Sequence, residues 1–245
     1  MARKKSNPTA ESLREIEASG DRLTEWASHN AALILGSIAA ILVLAAGAGL
    51  WMQHGANARD RAADALAQAA SDYRRAMGAD PGGGPIAEPA NAELAERARS
   101  EFAVRFEAVG REHAGTASGA IAMLEAGGLQ MQLGELEAAL ASFESARDSV
   151  GDSAIGALAA VRLAGLSESR GDMATAAEAY EAASRIEEYP LQAEALAEAA
   201  RCWAAAEQTD RALAAYQRLE SEFPDQRPVP QIESLLAELR LRGRP

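Results

Sequence analysis

The sequence predicts an all-α chain, a single N-terminal transmembrane helix followed by an α-solenoid of helical hairpins, and three observations predict it. The apolar share is 48%, much of it alanine, while aromatics reach only 4%. Alanine is the best helix former and lets helices approach closely, so this composition favours stacked helices over sheets. Residues 31–52 form an almost uninterrupted apolar run of 22. Finally, one fourteen-residue pattern occurs three times, shifted by 37 and then 36 residues.

The apolar run comes first in chain order. No Asp, Glu, Lys or Arg occurs between Glu25 and Arg59. A helix of 22 residues rises about 33 Å, which matches a hydrocarbon core of about 30 Å. Its Leu, Ile and Val residues favour insertion by about 3–5 kcal/mol in sum. Trp26 and Trp51 bracket the run as interfacial anchors. A cleaved signal peptide is the competing reading, with Ala46-Gly47-Ala48 as the small-residue site, but its leading region would be 30 residues long and carry five carboxylates. A buried core helix is the other, and 22 apolar residues without a polar face are too many for it. Arg3, Lys4, Lys5, Arg14 and Arg22 precede the run, whereas Arg59, Arg61, Arg74 and Arg75 follow it. That asymmetry is slight and favours a cytoplasmic N-terminus. In the tail, residues 1–30, Leu13, Ile16, Leu23 and Trp26 share one helical face. Both a short amphipathic helix and a disordered tail fit that pattern.

Beyond the run, residues 53–77 read as a stalk helix, and the Gly/Pro-rich stretch within 78–90 reads as a linker. Helical patterning then fills 91–226. The three copies, starting at Gly134, Gly171 and Glu207, share a small residue (Ala139, Ala176, Ala212), an aromatic four residues on (Phe143, Tyr180, Tyr216) and an apolar residue three after that (Ala146, Ala183, Leu219). Spacings of four and three put the set on one helical face, where the small residue admits a neighbouring helix and the ring fills the space beside it. Ala98 and Phe102 repeat the small-aromatic pair, a pattern that fits 91–110 as the second helix of an earlier, degenerate unit with 56–77 as its first and leaves open whether the two form a true repeat. In 227–245, Ile232, Leu235, Leu236 and Leu239 form the apolar face of a C-terminal capping helix.

The formal charge of −12 repels a polyanion, so nucleic acid is not an expected partner. Cys202 is the sole cysteine, which removes intrachain disulfides and paired-thiol redox or metal motifs; beside Trp203 it reads as a small buried residue. His29, His54 and His113 are scattered, and Gly82-Gly83-Gly84 lacks the Lys and Ser/Thr of a phosphate loop. No catalytic set, metal site, cofactor or small-molecule substrate is therefore expected.

The repeated segments resemble the second helix of the tetratricopeptide repeat, and aligning them on its 34-residue period places repeats at about 120–153, 157–190 and 193–226. Gly127, Trp203 and Pro224 match pattern positions, whereas Gln130 and Ser167 stand where a ring is expected. The resemblance implies that first helices line the partner-binding surface, with Leu124, Met131, Val161, Glu168, Glu194 and Arg201 facing inward. The apolar three read equally as packing between helices, leaving Glu168, Glu194 and Arg201 as candidate partner contacts.

With Trp26 to Asn30 before the span, Gly36 within it and Trp51 at its end, the chain looks like the membrane-anchored branch of that family, the ancillary Sec translocon subunits. That resemblance implies a single-pass bacterial inner-membrane protein with a cytoplasmic N-terminus and periplasmic repeats, whose partners are the translocon and periplasmic chaperones or clients. The 30-residue tail, the absence of a basic residue at the start of the span and the Pro/Gly insertion depart from the family pattern. A cytoplasm-facing adaptor in cell division or signalling, and a secreted protein after signal cleavage, remain the alternatives.

Overall fold

The computed structural model describes residues 31–79, 86, 88–226, 230, 232–234 and 238, with backbone alone for 31–52 and 54. The expectations for the tail and Trp26, for the Trp51 side chain, for most of the linker, and for Leu235, Leu236 and Leu239 lie outside these residues. Among the described residues no helix is long and apolar enough to cross a membrane. The side chains of 31–52, on which the transmembrane expectation rests, are not among them. The chain divides into two units, Met1–Asn57 and Ala58–Pro245.

Every regular element among the described residues is a helix. The first, α1, spans Ala31–Ala76. It is followed by α2 (Ala92–Glu112), α3 (Ala117–Leu133), α4 (Leu136–Val150), α5 (Ala154–Ser169), α6 (Met173–Ser184), α7 (Gln192–Ala205) and α8 (Thr209–Glu222). From α2 onward each helix packs on the next, and α3 also touches α5. Three hairpins, α3–α4, α5–α6 and α7–α8, thus stack as a solenoid in which contacts are local.

Side-chain caps open α2, α3, α5 and α6, whereas α4, α7 and α8 start without one. The Oδ1 of Asn91 accepts from the backbone N–H groups of Glu93 and Leu94 at the head of α2. Thr116 and Ser153, 37 residues apart, cap α3 and α5 by accepting from Gly119 N (3.0 Å) and Gly156 N (3.1 Å). A Cβ on Gly119 would stand 2.2 Å from the His113 carbonyl oxygen, and one on Gly156 2.0 Å from that of Gly151. These caps start the two first helices at 117 and 154, ahead of the 120 and 157 that the 34-residue alignment suggests.

Each hairpin turns through one left-handed residue: Gly134 (φ 76°), Gly171 (φ 77°) and Glu207 (φ 60°). In all three the following N–H closes back on the last helical turn, Glu135 on Gln130 (2.8 Å), Asp172 on Ser167 (2.9 Å) and Gln208 on Trp203 (2.9 Å). Only the third turn places a side chain in that region, where a Cβ crowds the backbone.

The repeated triads are the core. Ala139, Phe143 and Ala146 are fully buried, as are Ala176 and Ala183 with Tyr180 between them, and Ala212 and Leu219 with Tyr216. The ring of Phe143 lies in a notch left by Gly127: a Cβ there would be 2.4 Å from its Cε1. Ala164 and Ala200, one and two periods later, are buried in one cluster with Tyr180 and Tyr216. Ile232 joins that cluster at its C-terminal side.

At the other end, Leu66, Ala69, Ala70 and Tyr73 of α1 pack on Phe102 and Phe106 of α2 and on Ala122, Ala126 and Leu129 of α3. The Tyr73 ring centroid is 5.4 Å from that of Phe102 and 6.4 Å from that of Phe106. The Arg105 guanidinium, 2.7 Å from Asp72, holds that carboxyl below its usual range. Phe106 stands 37 residues before Phe143, and Phe102 occupies the small-residue position. The Ala98–Phe102 pair therefore lies one turn ahead of that 37-residue offset.

Two stability outcomes follow. Glu207→Gly should stabilise the fold by about 1 kcal/mol, raising Tm by about 2–4 °C in a thermal melt. Adjacent glycines should respond oppositely to alanine in chemical denaturation: Gly127→Ala costs about 1–3 kcal/mol through the Phe143 ring, whereas Gly128→Ala, with nothing within 4 Å of the new Cβ, gains about 0.5–1 kcal/mol of helix preference.

Candidate partner-binding face

The first helices α3, α5 and α7 each carry one stripe that is only partly buried. The 37- and 36-residue shifts set these stripes in rows: Ile121, Leu158 and Glu194; Gly128, Gly165 and Arg201; Met131, Glu168 and Ala204. Leu158 is 36% exposed. Gly128 and Gly165 are half-exposed, with nothing within 4 Å of a Cβ built on either. Charge is spread along the face: Glu125 on α3 and Arg162 on α5 are exposed, Glu168 stands in the third row, and Glu194 and Arg201 lie on α7.

The sequence-predicted inward residues divide accordingly. Leu124 and Met131 are half-buried against the cluster of Phe143, Leu163 and Leu166, and Val161 packs towards both neighbouring cores. These three hold helices together and show only their edges. Glu168 and Arg201 are brought together: the Arg201 Nη2 donates to Glu168 Oε2 at 2.5 Å, and the Tyr180 hydroxyl donates to Glu168 Oε1 at 2.9 Å. Arg201 Nε also donates to Glu198 Oε2 at 2.6 Å. Glu194 stays apart, exposed and without a hydrogen bond or ion pair among the described residues.

Glu198 escaped sequence reasoning, although its place three residues before Arg201, one helical turn away, was a usable signal. The cluster carries two carboxylates and one guanidinium. Burial opposes the Arg201 charge, but its bonds to Glu168 and Glu198 outweigh that and hold its pKa above the ordinary arginine value. Burial, reinforced by the Glu168 carboxylate, raises the Tyr180 phenol, so it remains a proton donor to Glu168. Cys202, fully buried beside Arg201, is pushed up to about 12 by burial first. Its thiol stays protonated and is a poor nucleophile.

A second polar set explains the missing ring at 130. Gln130 is 3% exposed; its Nε2 donates to Glu107 Oε1 at 2.5 Å, and its Oε1 accepts from the Ser142 hydroxyl at 2.8 Å. Two periods on, Trp203 Nε1 donates to Glu181 Oε1 at 2.8 Å, and the Arg211 guanidinium covers its ring at 4.5 Å. In both repeats the first helix reaches a glutamate on the preceding second helix, once through an amide and once through an indole. Among the described residues no group of three or more His, Cys, Asp or Glu is placed to hold a metal ion.

A family model for the tetratricopeptide repeat-like domain matches residues 24–239. The chain belongs to this family. No curated protein matches the sequence. Tetratricopeptide repeat-like domains are typically non-enzymatic scaffolds that bind other proteins. The partly buried stripes of α3, α5 and α7 are the surface on which this tetratricopeptide repeat-like chain offers apolar and charged groups side by side.

The ionic cluster should prove to be a link between repeats. Arg201→Met leaves Glu168 and Glu198 without their cation and should cost about 1–3 kcal/mol in urea unfolding. A double-mutant cycle with Glu168→Gln should return a coupling of about 1 kcal/mol, limited by solvent screening of these partly exposed groups. Additive effects would mean that the pair does not join the two helices.

Proposed function

We propose that the chain is a membrane-tethered scaffold. Residues 31–52 cross a bacterial inner membrane once, the N-terminus is cytoplasmic, and the repeats work on the extracytoplasmic side, where they contact the Sec translocon, periplasmic chaperones or their client proteins. The observation that carries the scaffold reading is the partly exposed face of α3, α5 and α7, on which bare glycines, Leu158 and the exposed Glu194 share one surface. The uncharged stretch between Glu25 and Arg59 supports the tether. Tethering confines the repeats near other membrane proteins and raises the effective concentration of weak binding sites. A cytoplasm-facing adaptor is the second reading, favoured by Arg59, Arg61, Arg74 and Arg75 just after the apolar run.

A photo-crosslinking residue at position 158 or 194, introduced into the full chain in living cells, should yield discrete adducts that include translocon or chaperone subunits. The same residue at Glu144, exposed on α4, should not. Equal labelling from both sides would remove the proposed face. A C-terminal reporter active only in the cytoplasm would reverse the topology and select the second reading.

A further inference from the structure

Helix α2 carries two patterned faces. Its inner side buries Ala95, Ala98, Phe102, Ala103, Phe106 and Gly110. On the opposite side Leu94, Arg97, Glu101 and Val104 follow spacings of three, four and three, and all four are exposed. Leu94, at 56%, and Val104, at 63%, are the most exposed large apolar side chains among the described residues. Single hydrophobics on a surface are ordinary, but these two bracket a pair of opposite charges on one stripe. Positions 94 and 104 share their midpoint with 97 and 101, level with Arg99. The stripe is therefore its own complement when turned end for end: Leu94 then meets Val104, and Arg97 meets Glu101, each contact occurring twice.

We infer that α2 pairs with α2 of a second copy of this chain, antiparallel, along this stripe. The spacing is that of the apolar seam of a coiled coil, in which a polar pair fixes register and orientation. A two-fold axis level with Arg99 makes the interface isologous, the same patch serving on both chains. Charge selects the direction. A parallel pair would set Arg97 on Arg97 and Glu101 on Glu101, whereas the antiparallel pair forms two ion pairs. Both groups are available for this: Glu101 makes no hydrogen bond or ion pair among the described residues, and Arg97 donates only Nη2 to Glu93, at 2.5 Å, which leaves its other N–H groups for a partner. The flanking charges are compensated within the chain, Glu93 by Arg97, Glu107 by Arg111 and Arg105 by Asp72. Glu96 lies round the helix from the stripe, and Glu112 about two turns beyond its end. A chain of charge −12 repels its copies at long range, so a seam that cancels its own charge is where they can meet. The contact is short, which makes the association reversible and concentration-dependent.

Cysteine cross-linking of the full-length protein in intact cells, with a membrane-permeant oxidant, tests the pairing. Residues 94 and 104 of one helix stand about 15 Å apart, beyond the Cα separation of about 7 Å that a disulfide spans, so a bond between them joins two chains. Native Cys202 is fully buried and forms an unreactive background. Cells making two differently tagged chains, one with Leu94→Cys and one with Val104→Cys, should yield a mixed disulfide dimer at least about fivefold above the dimer from either variant alone. Arg97→Glu or Glu101→Arg in both chains should cut that yield about tenfold, because each dimer meets the clash twice. Both exchanges together should restore it. Thermal melts of these exposed variants should match that of the parent, which separates pairing from folding. Equal cross-linking by the single variants, a yield indifferent to charge exchange, or no dimer would each overturn the inference. A cross-link to a different protein would give the stripe to that partner and overturn it as well. Cross-links from positions 158 and 194 judge the scaffold reading independently of these outcomes.

Discussion

The solenoid depends on one steric fit, a ring from each second helix entering a notch on its first helix that only a small residue leaves open. At Gly127 the fit is tightest, with the Phe143 ring occupying the space of a Cβ. At Ala164 and Ala200 a methyl is accommodated, and the partners are tyrosines less completely buried than Phe143. A low aromatic content is enough for such a fold, because each hairpin needs one ring in the right place and alanine supplies the close approach around it. The same economy makes the core local. Each hairpin rests on its neighbours, and the chain closes its ends with the 66–73 stretch of α1 on one side and Ile232 on the other.

Ion pairs reinforce this stacking at a recurring offset. Glu137 pairs with Arg170, Glu168 with Arg201 and Glu178 with Arg211, each joining residues 33 apart. The offset is about one turn short of the repeat period, which is where side chains on neighbouring repeats meet when they lean towards their helix N-termini. Exposed pairs of this kind add little stability singly. Glu168 and Arg201 differ in being only 21% and 31% exposed and in sharing bonds with Tyr180 and Glu198. An arginine with both faces of its fork engaged fixes orientation better than a lysine would. It stands where the other two repeats carry glycine.

The second-helix pattern was legible in the sequence because its spacing of four and three is itself the packing rule: all three triads became core. The helix starts were less so. Thr116 with Gly119 and Ser153 with Gly156 form an equally regular signal, but a capping hydroxyl and a glycine forced by a carbonyl are easily lost among many small residues. The degenerate first unit was harder to read for a related reason. With Phe102 and Phe106 one turn apart, periodicity alone could not say which ring was the repeat's own, and contact with Tyr73 made both necessary. At the candidate site, Glu168, Glu194 and Arg201 were legible as positions and not as partners. That Glu168 and Arg201 bond each other, while Glu194 makes no ion pair among the described residues, depends on a 33-residue offset between helices, which only their packing reveals.

This division among the three residues changes how the face should be read. A charged side chain already bonded to two neighbours resists being recruited by a ligand, because every new contact displaces an old one. Glu168 and Arg201 therefore act best as a fixed wall that holds α5 against α7 and sets the sign of the field. Glu194, exposed and without such bonds among the described residues, keeps its charge at the surface. Gly128 and Gly165 have nothing within 4 Å of a Cβ built on them, so internal packing does not require glycine at either position. Internal packing accounts for the notch glycine at 127 and leaves its neighbour at 128 unexplained, so the difference between two adjacent residues of one helix separates what the fold requires from what its surface offers.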